Sequence, residues 1–245
     1  MNPPVLVLGA GDTFGIDLVE ALLADGRQVI AVCLSGETAA SNLATHEAMR
    51  VRRTRTPVLE GSVRTDEDAA VLAAALARLP VLPLQAVVNL PLTCERGRLL
   101  EQPAGFLEGI LHGDLFPQVH AARHLLPLLA ASGRCARYLI VGMPYAGTPW
   151  AGYGHYSVVA AATRMLVQVL RQETADTAVR VQQLVIGSPV RTPENAHCAC
   201  DAWPDAADVA RHAASVLADS DDSAIFVDYQ APGTTVAETE FEVTE

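Results

Sequence analysis

Four consecutive apolar residues, Val5 to Leu8, run into a glycine-spaced turn, Gly9 to Gly15, and then into helical periodicity from Ile16 to Ala24. A short run that is apolar at every position suits a strand buried on both faces. Such a strand belongs to a parallel sheet with helices above and below it. This opening unit leaves few folds available. Asp25-Gly26 closes the helix, and Val29 to Leu34 repeats the buried strand. The alternation continues with helix Ala69 to Leu79, strand Ala86 to Asn89, helix Gly113 to Ala131 and strand Arg137 to Val141. Helix Ser157 to Thr174, strand Arg180 to Ile186, helix Ala206 to Ala218 and a short strand Ala224 to Val227 complete it. The pattern predicts an α/β chain: one Rossmann-like, doubly wound parallel sheet with helices on both faces, built as a single domain from residues 1–245.

No repeat or linker interrupts this series. Thr192 to Pro204 carries Pro, Asn and Cys and reads as a loop. The segment from Gly233 to Glu245 alternates Thr, Val and Glu. It reads as an acidic tail, with an edge strand on a partner as the alternative.

With 50% hydrophobic and 18% charged residues, the chain buries a sizeable core easily. A net charge of -11 argues against nucleic acid, which requires a basic footprint. The short basic run Arg50, Arg52, Arg53 and Arg55 reads as a solvated segment, a phosphate contact being the alternative. No apolar run reaches the roughly 18 to 20 residues of a membrane span, and Met-Asn-Pro-Pro lacks the basic start of a leader peptide. A soluble, cytoplasmic protein is expected. Of the five cysteines, only Cys198 and Cys200, beside His197, are clustered. One residue between them is short of zinc spacing, so no metal site is expected.

The order of motifs resembles the short-chain dehydrogenase/reductase family over nearly the whole chain. Gly11-Asp-Thr-Phe-Gly15-Ile-Asp17 resembles that family's Gly-x-x-x-Gly-x-Gly, with Asp17 in the third place. Val87-Val88-Asn89 stands where the family has a strand ending in Asn-Asn-Ala-Gly, and Tyr156-Ser-Val-Val-Ala160 falls on Tyr-x-x-x-Lys. Arg180 to Gly187 followed by Thr192-Pro193 resembles the strand and Pro-Gly-x-x-x-Thr segment beyond it.

The resemblance implies hydride transfer with a nicotinamide cofactor, in which a tyrosine phenol exchanges a proton with the substrate oxygen. A free phenol has a pKa of about 10. In the family, a lysine ammonium one turn later lowers it, a serine positions the substrate and an asparagine completes a proton path. This sequence contains no lysine; all 17 cationic side chains are arginine. Tyr156 is present, but Ala160 takes the lysine position, Met143 the serine position and Asp114 the asparagine position. Arg164, the nearest downstream arginine, lies about 12 Å further along a helix of 1.5 Å rise, too far for direct contact. The family's mechanism is therefore not expected.

Cofactor binding is expected to be weakened separately. Asp17 brings charge toward two phosphates, and Cys33-Leu34-Ser35 offers neither an acid for an NAD ribose nor an arginine for an NADP phosphate. Ser62-Val63 replaces the adenine-contacting Asp-Val, and Asn89-Leu-Pro-Leu92 is bulkier than Asn-Asn-Ala-Gly. Gly9, Gly11, Gly15 and Asn89 read as remnants of the cofactor site, and the glycines are explained equally by a tight turn. Tyr156 fits a buried, satisfied tyrosine as well as an acid, and His155 fits polar surface as well as a base. Met143, Tyr145, Trp150 and Tyr153 either line a pocket or fill space.

Helices Gly113 to Ala131 and Ser157 to Thr174 keep the apolar surface through which, in this family, subunits pair as a four-helix contact. The resemblance therefore implies a non-catalytic subunit beside an active relative that holds the NAD, in a heterodimer or heterotetramer. It is similar in kind to the inactive subunit of the dehydrogenase acting on a hydroxybenzyl-succinyl-CoA in anaerobic toluene degradation. Two alternatives stay open. One is a non-redox enzyme, such as a cyclase or dehydratase, using Tyr156, His155 and Asp114. The other is a nucleotide-sensing binding protein.

Overall fold

The structure is a computed structural model and describes residues 3–34, 57–80, 83–90, 97–142, 146, 149, 152–219 and 224–229. Seven strands form one sheet: β1 (Val5–Leu8), β2 (Val29–Leu34), β3 (Val58–Gly61), β4 (Ala86–Asn89), β5 (Ala136–Val141), β6 (Val179–Val185) and β7 (Phe226–Asp228). Their order is β3-β2-β1-β4-β5-β6-β7, and every pairing is parallel. The helices are α1 (Thr13–Ala24), α2 (Asp66–Ala77), α3 (Phe106–Ile110), α4 (Phe116–Ala130), α5 (Gly154–Glu173) and α6 (Ala206–Ala218). The α/β, doubly wound architecture expected from the alternation is the one observed.

The alternation of side chains along each strand divides the core into two. Leu6, Leu8, Ile30 and Val32 face one layer with Leu72 and Leu76 of α2, Leu125 and Leu129 of α4, and Val167 of α5. Val5, Val7, Val29 and Ala31 face the other with Leu18 and Leu22 of α1 and Val209 and Ala213 of α6. The period of two in the strands thus meets the helical stripes on both sides of the sheet. Strand β3 escaped the sequence reading because Val-Leu-Glu-Gly is a half-exposed edge strand without a continuous apolar run. Helix α4 begins later than expected, since α3 and a π-helical turn, Leu111–Leu115, precede it. No described helix is long and apolar enough to cross a membrane. Segments 35–56 and 233–245, and with them the arginine run and the tail, lie outside the described residues.

Strand order reverses between β1 and β4, which places a crevice outside the carboxyl ends of those two strands. Gly9 leaves β1 with φ +82°, a conformation that L side chains rarely adopt. Gly15 has no positive φ; its constraint is contact. A Cβ there would stand 2.4 Å from the Gly9 carbonyl oxygen and 2.7 Å from the Ala10 Cα. Because those neighbours are backbone, Gly15→Ala is expected to lower stability by about 1–3 kcal/mol or more, read by urea denaturation against wild type. Gly26→Ala, at an open turn with positive φ, separates backbone strain from contact.

Candidate functional site

The crevice is built from the ends of β1 and β4, the start of α1, the loop after β6, and α5. Counting from the end of β1 puts Gly9 first in the glycine-spaced turn and Gly15 last. The close-packed glycine is the one that lets helix and strand meet, so the third glycine place belongs to Gly15 and not, as the spacing suggested, to Asp17. Thr13 then takes the middle place. Gly11 lies in the turn between them.

The first turn of α1 carries its own anions. Asp12 is the N-cap, and its carboxylate accepts from the Gly15 backbone N–H at 2.6 Å. Burial raises its pKa to about 6; the Gly15 hydrogen bond opposes that rise, and the charges of Glu194 and Asp17 add to it. Thr13 Oγ1 donates to Glu194 Oε1 at 2.5 Å, a contact across 181 positions of sequence. The Thr13 hydroxyl holds the Glu194 carboxyl below its usual range, and the Thr192 hydroxyl assists against a smaller effect of burial. Asp17 lies further along α1; burial raises its pKa, Glu20 adds to this, and Arg211 of α6 counteracts it. Sequence reading missed Asp12 and Glu194. The first was legible as an Asp before a helical stretch; the second, 181 positions away, left no local signal.

The floor of the crevice is already engaged. Asn89 Nδ2 donates to the Tyr138 hydroxyl at 3.3 Å in the core, where burial drives the Tyr138 phenol far above its ordinary pKa. Leu90, fully buried, lies 3.2 Å from where a Gly9 Cβ would stand. The Ser62 hydroxyl donates to Asp68 at 2.8 Å and accepts from the Arg64 N–H, which ties it to its own turn. A dinucleotide needs donors for two phosphates and open space above the glycines. The residues present supply two carboxylates at the helix start and a leucine beneath it. These described residues do not fit that group.

Tyr156 sits in the first turn of α5 with 1% of its surface exposed, and His155 beside it is fully buried. The His155 ring meets Phe106 of α3 edge-on at 5.0 Å and lies 4.3 Å from the Tyr156 ring, centroid to centroid. His155 is therefore part of a buried aromatic cluster, not polar surface in a loop. Ala160, one turn on, is equally buried at 1%. Arg164 does not substitute for the missing lysine: its guanidinium lies 3.7 Å above the Phe226 ring of β7. Asp114 falls in the π-helical turn, half-buried, and burial raises its pKa to about 6. Such turns recur where a helix is bent to serve a site. Met143, Tyr145 and Trp150 lie outside the described residues, while Tyr153 is half-buried just before α5. No group of three or more metal-ligating side chains forms among the described residues, and the Cys198 thiol donates to the Asn195 carbonyl.

Asp12 and Asp114 both hold protons in the native state at pH values where the unfolded chain has released them. Their contribution to stability is present below the ordinary carboxylate value of about 4 and is lost as pH rises through 6. His212, whose pKa burial lowers, works in the opposite direction. The comparison between variants isolates the two acids. Going from pH 7 to pH 5 is expected to raise the melting temperature of wild type more than that of Asp12→Asn/Asp114→Asn; equal shifts in a calorimetric melt would refute the assignment.

The sequence model of the family described as short chain dehydrogenase matches residues 4–199. No curated protein matches the sequence. Among solved structures, a short chain oxidoreductase from Pseudomonas aeruginosa PAO1, described as containing an atypical catalytic center, matches with a TM-score of 0.78 and 20% identity. That match covers 96% of this chain and 98% of the other, and the same protein has also been solved with NADPH bound. Acetoin dehydrogenase from Enterobacter cloacae matches with a TM-score of 0.72 and 18% identity, over 93% of this chain and 94% of that one. At such identities the structural likeness speaks for the fold. The family match spans most of the sequence, and on that ground the chain belongs to the short chain dehydrogenase family.

Proposed function

We propose that this chain is a non-catalytic member of its family, holding no cofactor itself, which assembles with and supports a catalytically active NAD-dependent relative. The observation that carries this reading is Ala160. It lies on the buried side of α5, one turn beyond a tyrosine that is itself closed off, in a sequence without a single ammonium side chain. A free phenol has a pKa of about 10. The family's way of readying it, a lysine ammonium one turn on, has no counterpart at Ala160, which argues against proton exchange by the family's standard route.

The outer surface of α4 and α5 supports the pairing. Val158, Ala161, Met165 and Val169 form one exposed stripe on α5, with Met165 58% exposed. Phe116 and Val119 form its counterpart on α4. Between the helices runs a cavity of about 440 Å³ whose lining includes Val119, Leu126, Pro127 and Leu170 together with Arg123 and Glu173. Apolar side chains aligned on adjacent helices are a surface that another protein covers. The hydroxybenzyl-succinyl-CoA dehydrogenase of anaerobic toluene degradation is one complex of this kind and defines a substrate to test first.

One observation favours a second reading, a non-redox enzyme. Asp114, with its pKa raised to about 6 in a π-helical turn, has the properties of an acid-base group. Under that reading Asp114→Asn abolishes an activity of the isolated chain, whereas the buried Tyr156 contributes little.

Two outcomes test the subunit reading. Purified from its source, the chain is expected to travel with a related polypeptide carrying Tyr-x-x-x-Lys, seen by native mass spectrometry, and Tyr156→Phe is expected to change the activity of that complex less than about twofold. Ala161→Trp, on the exposed stripe, is expected to prevent assembly while leaving the monomer folded. Ordinary rates of NAD(H)-dependent alcohol or ketone turnover by the partner-free chain would overturn the proposal.

A further inference from the structure

The loop that follows β6 is firmly built. The Arg191 N–H donates to the Pro204 carbonyl at 2.8 Å, and its guanidinium donates to the Cys200 carbonyl at 2.9 Å while lying near Asp201 and Asp205. Asn195 accepts from the Thr192 N–H and donates to the Val190 carbonyl, both at 2.9 Å. One side chain leaves this frame and crosses to α1: Glu194, whose carboxylate accepts a hydrogen bond from the Thr13 hydroxyl at the first turn. The start of a helix collects unpaired N–H groups and partial positive charge, so it attracts anions. Here two groups at that start are engaged from within the chain, the Gly15 N–H by Asp12 and the Thr13 hydroxyl by Glu194.

We infer that Glu194 is an internal latch: with Asp12 it takes the place of a ligand's phosphates at the start of α1 and closes the crevice to free nucleotides. This deepens the non-catalytic reading by giving the missing cofactor a cause on this chain's own residues, and it rests on that reading only for its biological sense. The latch is one of charge as well as space. Two carboxylates stand at the helix start, with Asp17 behind them, and among the described residues the cation that acts on this group is Arg211, through Asp17. An incoming pyrophosphate meets repulsion that the helix dipole alone does not offset.

The test removes charge while leaving the hydrogen bonds. Asn caps a helix about as well as Asp, and a glutamine amide oxygen still accepts from Thr13, so Asp12→Asn/Glu194→Gln keeps both contacts. Calorimetric titration of the full chain with ADP and with NADPH is the measurement, at low and at high salt. The double variant is expected to bind both probes at least about tenfold more tightly than wild type, with the gain shrinking as salt screens the charges. The single variant Glu194→Gln, altering only an exposed side chain, is expected to show a smaller gain with the same salt dependence; it carries the test if the double variant melts at a much lower temperature. Wild-type binding equal to that of the variants, or no binding by any of them, overturns the latch. The same samples assayed for NADPH oxidation separate the two claims. Variants that bind without turning over leave the non-catalytic reading in place, and turnover by wild type defeats it whatever the latch does.

Discussion

The whole site depends on how closely α1 approaches the turn that leaves β1. Gly15 lies so near the Gly9 carbonyl that a methyl group has no room, and this contact fixes where the helix starts. Once it is fixed, Asp12 must be the cap, Thr13 must point outward from the first turn, and the crevice at the strand reversal must open onto them. In a dinucleotide-binding fold of this kind the helix start faces a phosphate. Here packing accounts for Gly9 and Gly15, and the described groups around them are a threonine, two carboxylates and a leucine.

Much of the fold was legible because buried strands write it directly. Val5–Leu8 and Val29–Leu34 are apolar throughout and Ala86–Asn89 at every position but the last, and these continuous runs stand at the observed bounds. Val58–Gly61 was not legible, since an edge strand half in water needs no apolar run. The site was legible where the evidence was an absence. A sequence without lysine answers a question about an ammonium group irrespective of alignment. It was illegible where the evidence was a contact. The spacing of glycines admits two registers, and only the approach of α1 to β1 chooses between them. His155 looked like loop surface because its aromatic partner Phe106 lies far back in the chain. Glu194 looked like any loop acid until the fold brought it to Thr13.

Two surfaces of the molecule have thus diverged. Around the crevice, polar groups satisfy one another: Asn89 with Tyr138, Ser62 with Asp68, Thr13 with Glu194. On the outer side of α4 and α5, apolar groups face outward with no counterpart among the described residues. The crevice still keeps two carboxyls whose pKa burial raises, Asp12 and Asp114, while the exposed apolar surface lies elsewhere.

Ala160 is closed in as tightly as the tyrosine one turn before it, each with 1% of its surface exposed. A lysine placed there would bring a long stem and an ammonium into a buried seat, where burial favours the neutral amine. Installing a cation at this position therefore takes more than one substitution, because the seat has to open before the charge has anywhere to go.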